Sequence, residues 1–463
     1  MNRKECLKIM VRCVAFVVVF SMLFGNATDL LMRHDDESNE IHAFYSEPED
    51  TIDVLYVGSS PLLRGVSPMV MWQEHGFTGY VRASALQAPS VSYGLLAESL
   101  KYQNPELVVL LCDNIFSDYD YAEREGDLRR GLDGMKMSKY KLDIIKEVTA
   151  ADESQSMLSY AFPLMRYHDR WKEINLAEDK PEPLLEHSFK KGNVYLREIA
   201  PQAYPENFME PTGETASFDE SAKGYIEKSI ALCKEKNIPV LLLHLPKMSW
   251  TYAQSEALED FAAAQGVTYL DLDRAEYREQ LGLDPQVDYY DQGHMNLTGT
   301  IKLSGWLGAW LDAQYALPDH REDAAISAEW NADFKEYAEK KISKLDKYFP
   351  EEADAFVTFA VEKKNRCVVE LTIRAANGTL FRAQTEDPDG DMRSAIDEAV
   401  SFIDRRIRKN KTRLAKNLRP DALVSTVPAE FDVVEDNDFD IIRTKRFSVK
   451  PMTTDEAVLQ MNL

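Results

Sequence analysis

The chain has 463 residues, 44% of them hydrophobic and 29% charged, which suits roughly two to four domains with packed cores and excludes an intrinsically disordered protein. A formal charge of −24 excludes a general polyanion binder, yet residues 331–419 hold 19 Lys+Arg against 16 Asp+Glu, so that stretch carries +3 and the rest −27. The five cysteines (Cys6, Cys13, Cys112, Cys233, Cys367) show no CxxC or metal-like spacing; no disulfide framework, metal site or cofactor is expected.

Arg3, Lys4, Lys8 and Arg12 precede the apolar run Cys13–Phe24, CVAFVVVFSMLF, and acidic residues follow from Asp29. That charge order fits a signal anchor or signal peptide over residues 1–28 with its basic end in the cytoplasm. Leu7, Ile9, Met10 and Val11 extend the run towards the ~17 residues a span needs, and Gly25-Asn26-Ala27 leaves cleavage open. After a polar spacer comes TIDVLYVGSSP, Thr51–Pro61. Ile52–Val57 reads as a strand buried on both faces, ended by Gly58-Ser59-Ser60. Glycine permits the sharp turn and Pro61 suits a first helical turn, so Ser60 stands at a strand's carboxyl end, where open α/β sheets bind ligands.

Tyr80–Ala83 is a second short strand. Tyr93, Leu96 and Leu100 mark a helix, and Glu106–Leu111 is a third strand ending at Cys112-Asp113-Asn114. Residues 115–215, with DYDYAEREGDLRRG and PEPLLEH as loop-like segments, read as an insertion over the sheet's ligand edge. Ile226, Ile230 and Cys233 mark the next helix, followed by strands Pro239–Leu245 and Val267–Leu272. The alternation predicts an α/β domain over 48–316 with a doubly wound parallel sheet.

In YYDQGHMNLTGTIKLSGWLGAWL, Tyr289–Leu311, Asp291 and His294 lie three residues apart, before a helix capped near Asn296–Thr298 that buries Leu303, Leu307 and Trp310. A carboxylate can hold the imidazole in one tautomer while its other nitrogen takes a serine proton. With IDVLYVGSSPLLRGVSP, APSVSYGLLAESLKYQNPELVVL and DQGHMNLTG, residues 1–315 resemble the membrane-anchored SGNH (GDSL-like) hydrolases, the group that includes the D-alanyl transfer protein of teichoic acids and the alginate acetyltransferases. The resemblance implies a flavodoxin-like sheet with Ser60 as nucleophile, His294 as base and Asp291 as its orienting partner, and Ser59 where the GDS form has aspartate. It also implies a cell-envelope glycan or acyl carrier as partner. The family's oxyanion-hole glycine is replaced within Ala83-Ser84-Ala85-Leu86-Gln87 and its Gly-x-Asn-Asp by Cys112-Asp113-Asn114, leaving Ser60 N–H with Asn114 or Gln87 as oxyanion donors.

Leu317–Ser327, LPDHREDAAIS, reads as the start of a polar linker over 317–332. Beyond it, Phe334, Ala338, Ile342, Leu345 and Phe349 stripe a helix ending at Pro350. Strands Ala355–Glu362 and Arg366–Ala375 are joined through Lys363-Lys364-Asn365, and Thr379–Thr385 follows. A helix after Asp391 buries Ile396, Val400, Ile403, Ile407, Leu414 and Leu418. It also carries Arg405, Arg406, Arg408, Lys409, Lys411, Arg413 and Lys416, a pattern able to pair with phosphates. KEYAEKKISKLDKYFPE, VTFAVEK, RSAIDEAVSFIDRRIRKNKTRL and IIRTKRFSVKPMTTDEAVLQM resemble the long form of the bacterial ribosome hibernation promoting factor. That resemblance implies an α+β RNA-binding module over 333–419 with the small ribosomal subunit and its rRNA as partner, an acidic linker over 420–440, and the start of a dimerising tail over 441–463. It also implies that the family's first strand, due before Asp333, is missing and leaves a sheet edge unpaired, and that the tail is cut short.

One apolar segment places both parts on the same side of a membrane, whereas an envelope enzyme and a ribosome-binding factor work on opposite sides. A fusion of two reading frames is the simpler expectation. The alternatives are a ribosome-bound translation regulator with an incidental N-terminal half, and a non-catalytic glycan-binding scaffold.

Overall fold

The computed structural model describes residues 3–32, 35–152, 154–175, 181, 183–188, 190–196, 198–349, 353–361, 367–375, 379–387, 392–417 and 443–449, with the backbone alone at 3–4, 331–337, 358–361, 367, 392–393, 410–417 and 443–449. The chain divides into two compact units, Met1–His320 and Arg321–Leu463.

In the first unit the opening helix α1 (Arg3–Leu31) is followed by α2 (Asp36–Ala43) and then by β1 (Val54–Gly58), α3 (Ser60–Gly65), α4 (Pro68–His75), β2 (Gly79–Ala83), α5 (Pro89–Ser99) and β3 (Leu107–Leu111). After α6 (Glu125–Asp133), α7 (Lys139–Ala151), α8 (Met157–Ala161) and α9 (Leu164–Tyr167) come α10 (Glu220–Glu235), β4 (Val240–His244), α11 (Tyr252–Gln265), β5 (Thr268–Asp271) and α12 (Ala275–Leu281). A short hairpin, β6 (Tyr289–Asp291) and β7 (His294–Met295), leads into α13 (Leu297–Tyr315). Strands β1 to β5 form one parallel sheet in the order 2-1-3-4-5, so the expected α/β doubly wound sheet is present.

All five residues of each of β1, β2, β3 and β4 are buried, as strands covered on both faces require. Val54, Tyr56, Val109, Leu241 and Leu243 face Leu62, Met71, Leu303, Leu307 and Leu311, the apolar sides of α3, α4 and α13. On the other face α5 packs on β1 and against α10. Gly58 ends β1 where an added Cβ would lie 2.4 Å from Leu111 Cβ, so only glycine lets the chain turn here against β3. The edge of β2 is covered by the segment around Gly192, with Lys191 O accepting from Val81 N at 3.0 Å.

The segment DYDYAEREGDLRRG, expected as a loop, is helical from Glu125. Leu128 and Leu132, four apart, join Val91, Leu95, Ile144, Ile145, Val148 and Tyr160 in a second apolar cluster. Its charged appearance hid this, because the charge is itself packed: Arg129 lies 4.1 Å over the Tyr160 ring and 2.8 Å from Glu125.

Lys141 on α7 is buried, donates to Met135 O at 2.9 Å, and has its ammonium pKa pushed down to about 8 by desolvation. Its folded pKa is below its unfolded one, so the penalty for the charged lysine is full below pH 8 and disappears as pH rises towards 10.5. Lys141→Met is expected to raise stability at pH 7 by about 1–3 kcal/mol, with the gain shrinking by pH 10; denaturant melts at the two pH values measure it.

In the second unit α14 spans Ala324–Ser343, starting inside the expected linker because Asp323 caps it by accepting from the Ala325 and Ile326 amides. Antiparallel β8 (Ala353–Val361), β9 (Cys367–Arg374) and β10 (Leu380–Asp387) follow, then α15 (Met392–Asn417). Ile396, Ile403 and Ile407 are buried on α15, and Ala338, Ile342, Leu345 and Phe349 are buried around the end of α14. The expectation of an unpaired sheet edge is corrected. A fourth strand, β11 (Arg443–Val449), pairs antiparallel with β8 from Arg443↔Phe359 to Val449↔Ala353, so the chain's own later segment supplies the missing ladder. The acidic stretch 421–440 and residues 450–463 lie outside the described residues.

Candidate active site and basic helix

Ser60 opens α3 directly after β1, in the crevice that the 2-1-3 strand order leaves at the sheet's carboxyl edge. His294 and Asp291 come from the β6–β7 hairpin. This is held in place by Met248 N donating to Gln292 O at 2.8 Å and by α13, whose Thr300 Oγ1 donates to Arg64 O at 2.6 Å. The three side chains meet. Ser60 Oγ lies 2.8 Å from His294 Nε2, and His294 Nδ1 lies 2.8 and 2.9 Å from the Asp291 carboxylate oxygens. A carboxylate only accepts, so Nδ1 carries the proton and Nε2 presents its lone pair to the Ser60 hydroxyl.

A pocket of about 240 Å³ opens over Ser60, lined in part by Gln87, Asn114, Tyr119, Arg124, Lys247 and His294. Gln87 is committed elsewhere: Nε2 donates to Ser92 Oγ at 2.9 Å, and Oε1 accepts from Ser84 Oγ at 3.0 Å. Asn114 is freer, with one long contact of 3.4 Å from Nδ2 to Gln87 O and no partner for Oδ1. Asp113 Oδ1 and Tyr119 OH are also buried without a hydrogen-bond partner, and Asp113, Asn114 and Tyr119 all line this pocket. Burial raises the Tyr119 phenol above its ordinary range, keeping it a neutral donor.

Lys247, 3.2 Å from Asp113, and Arg124, with Tyr119, were not singled out from the sequence. Lys247 was legible in principle, three residues past the carboxyl end of β4. Arg124 and Tyr119 come from the insertion and carried no signal. The Lys247 backbone is fixed by Asp273 Oδ2, which accepts from its N–H at 2.8 Å and lies 2.9 Å from His244 Nε2. Desolvation raises the Asp273 carboxyl, against the pull of His244. His244, Asp271 and Asp273 have ligand atoms within 4.8 Å of one another. However, Asp271 Oδ2 already accepts from Ser255, Trp250 and Tyr269, so a hydrogen-bond network occupies this position.

On α15, Arg405, Arg406, Arg408 and Lys409 are exposed, while the side chains of Lys411, Arg413 and Lys416 lie outside the described residues. Arg408 Nε is 2.9 Å from Asp404 and donates to Tyr348 OH at 2.9 Å, and Arg406 donates to Arg382 O. The Arg405 contacts are with its own helix: a 3.3 Å hydrogen bond to Ser401 O and a position 4.6 Å over the Phe402 ring.

A solved structure of a gut microbial diltiazem-metabolizing enzyme aligns over 71% of this chain and 57% of its own at 12% identity, with a TM-score of 0.22, too low to support a shared fold. Residues 326–415 match the family described as Sigma 54 modulation protein / S30EA ribosomal protein, and residues 436–463 match that family's C terminus. The ribosome hibernation promotion factor of Lactococcus lactis subsp. cremoris is 42% identical over 138 residues, 27% of this chain and 72% of the relative. That of Bacillus subtilis is 35% identical over 144 residues, 28% and 74%, and that of Deinococcus radiodurans 37% over 145, 27% and 73%. Through its C-terminal part, the chain therefore belongs to the ribosome hibernation promotion factor family.

Proposed function

We propose that the first unit is an SGNH-type serine esterase or O-acyltransferase acting on an acyl ester of a cell-envelope glycan. The observation that carries this reading is the continuous hydrogen-bonded chain Ser60–His294–Asp291, whose Ser60 and His294 line the pocket. Ser60 Oγ attacks the ester carbonyl as His294 Nε2 takes its proton, and Asp291 stabilises the resulting imidazolium. The oxyanion faces Ser60 N–H, which has no intrahelical acceptor in the first turn of α3, and Asn114 Nδ2. His294 then returns the proton to the leaving alkoxide, and water or an acceptor hydroxyl takes the acyl group by the reverse steps. The test is labelling of the full chain with a fluorophosphonate probe, with the modified peptide read by mass spectrometry. Adduct at Ser60, lost in Ser60→Ala and weakened in His294→Ala, supports the reading; no adduct at Ser60 overturns it.

Family membership supports a second activity for the C-terminal part, binding of the small ribosomal subunit through the cations of α15. Of the described helices, α1 alone is long and apolar enough to cross a membrane, and its basic flank orients the first unit outward. Both units would then share one compartment, and we infer a fusion of two reading frames. A reporter fused after Tyr315 tests the orientation, and a transcript spanning codons 310–340 tests the fusion.

A further inference from the structure

The segment Met157–Trp171 concentrates exposed apolar surface. Met157, Leu158, Phe162, Met165 and Trp171 are 42, 55, 47, 51 and 65% exposed within fifteen residues, whereas the other large exposed apolar side chains of this unit beyond α1 are scattered singly. It comprises α8, α9 and a 3₁₀ turn at His168–Lys172. It is also joined to α1: the Phe162 ring meets Phe24 edge-on at 6.2 Å, and Arg170 donates to the Leu31 carbonyl at the end of α1.

We propose that this segment is a second membrane contact, lying on the surface of a phospholipid bilayer beside the anchor helix and fixing the catalytic unit against it. The inference rests on α1 being inserted and does not depend on the hydrolase reading.

Helix length decides where the bilayer boundary falls. Between Arg12 and Asp29 sixteen residues carry no charge, which span about 24 Å as a helix, against about 30 Å of hydrocarbon. Lys8 and Arg12 can extend their cations towards the cytoplasmic surface, but at the other end the deficit draws lipid up to the folded unit. Residues 5–23 of α1 are exposed, and burial begins at Phe24. Phe24 is four residues, or about 6 Å, inside the last uncharged position, so its neighbour Phe162 meets the hydrocarbon boundary. Trp171 between Arg170 and Lys172 then suits the headgroup layer, where indole rings partition and cations face phosphates. Asp169 and Glu173 offset that charge, so the contact is mainly apolar. The segment also reaches the Ser60 pocket wall: Arg166 lies 3.1 Å from Glu125, the residue after Arg124. The contact thereby sets the height of the pocket above the membrane.

The test uses the full chain with Cys6, Cys13 and Cys367 exchanged for serine. Single cysteines are placed in turn at Val17, Phe162, Met165 and Asp260, labelled with a fluorophore, and the protein is reconstituted in 3:1 phosphatidylcholine:phosphatidylglycerol vesicles. Quenching is compared between lipids carrying a nitroxide near the headgroup and deep in the chain. Deep quenching at Val17, with shallow quenching at Phe162 and Met165 at least threefold above that at Asp260, is expected. Leu158→Glu with Trp171→Glu should remove the Met165 signal and leave Val17 unchanged. Deep quenching at Val17 with Phe162 and Met165 no different from Asp260 overturns the proposal and leaves the patch to a protein partner. An unquenched Val17 overturns it as well, by removing the anchor.

Discussion

Replacing Ser60 with alanine is expected to lower kcat/KM for a short acyl ester, such as p-nitrophenyl acetate, by about 10³-fold or more, with His294→Ala close behind. Both substitutions break one proton path, since the Ser60 hydroxyl has its base 2.8 Å away and that base has a single orienting carboxylate. The double variant should therefore lose little more than either single one, which is the behaviour of groups acting as a unit. Asp291→Asn should cost less than a buried triad carboxylate does, about 10- to 100-fold. Its side chain is 47% exposed, and water weakens its grip on the developing imidazolium. Equal rates in the wild type, Ser60→Ala and His294→Ala would end the hydrolase reading and bring the scaffold forward.

The parallel sheet was legible because strands buried on both faces leave continuous apolar runs, as VLYV and LVVLL do, and because Gly58 and Asn296 mark chain reversal and helix start in ways that side-chain chemistry fixes. Ser60, Asp291 and His294 were legible for a related reason: each stands at the end of a regular element, where topology dictates the location. The insertion was not. Its helices bury arginine and tyrosine with leucine, so the apolar period is diluted by residues that normally mark a surface, and Arg129 over Tyr160 is invisible to periodicity. Nor could the pairing of β11 with β8 be read. Ladder partners nearly ninety residues apart leave no local pattern, and the edge expected to be bare is closed by a segment expected to belong to a separate tail. The side-chain amide of Gln87 is engaged by Ser84 and by Ser92 of α5, a competition between side chains that sequence spacing does not express.

The second large effect is expected on the ribosome side. Arg405→Glu with Lys409→Glu in the full chain should weaken binding to isolated small subunits by about 10²-fold at physiological salt, and should flatten the slope of log K against log salt by about 2, roughly one per lost phosphate contact. These two positions are chosen because Arg405 has only its own helix as a partner and Lys409 is exposed. Arg408 is already held by Asp404 and Tyr348, and Arg406 by the Arg382 carbonyl. Reversing either of the latter would disturb the packing of α15 along with its charge, whereas Ile403 and Ile407 on the buried side are untouched by the chosen pair. Circular dichroism should therefore be unchanged in the double variant while binding falls. A filter-binding series between 50 and 300 mM salt separates the outcomes: parallel lines displaced in affinity would point to a contact other than phosphate. Coincident lines would mean that α15 does not face the RNA.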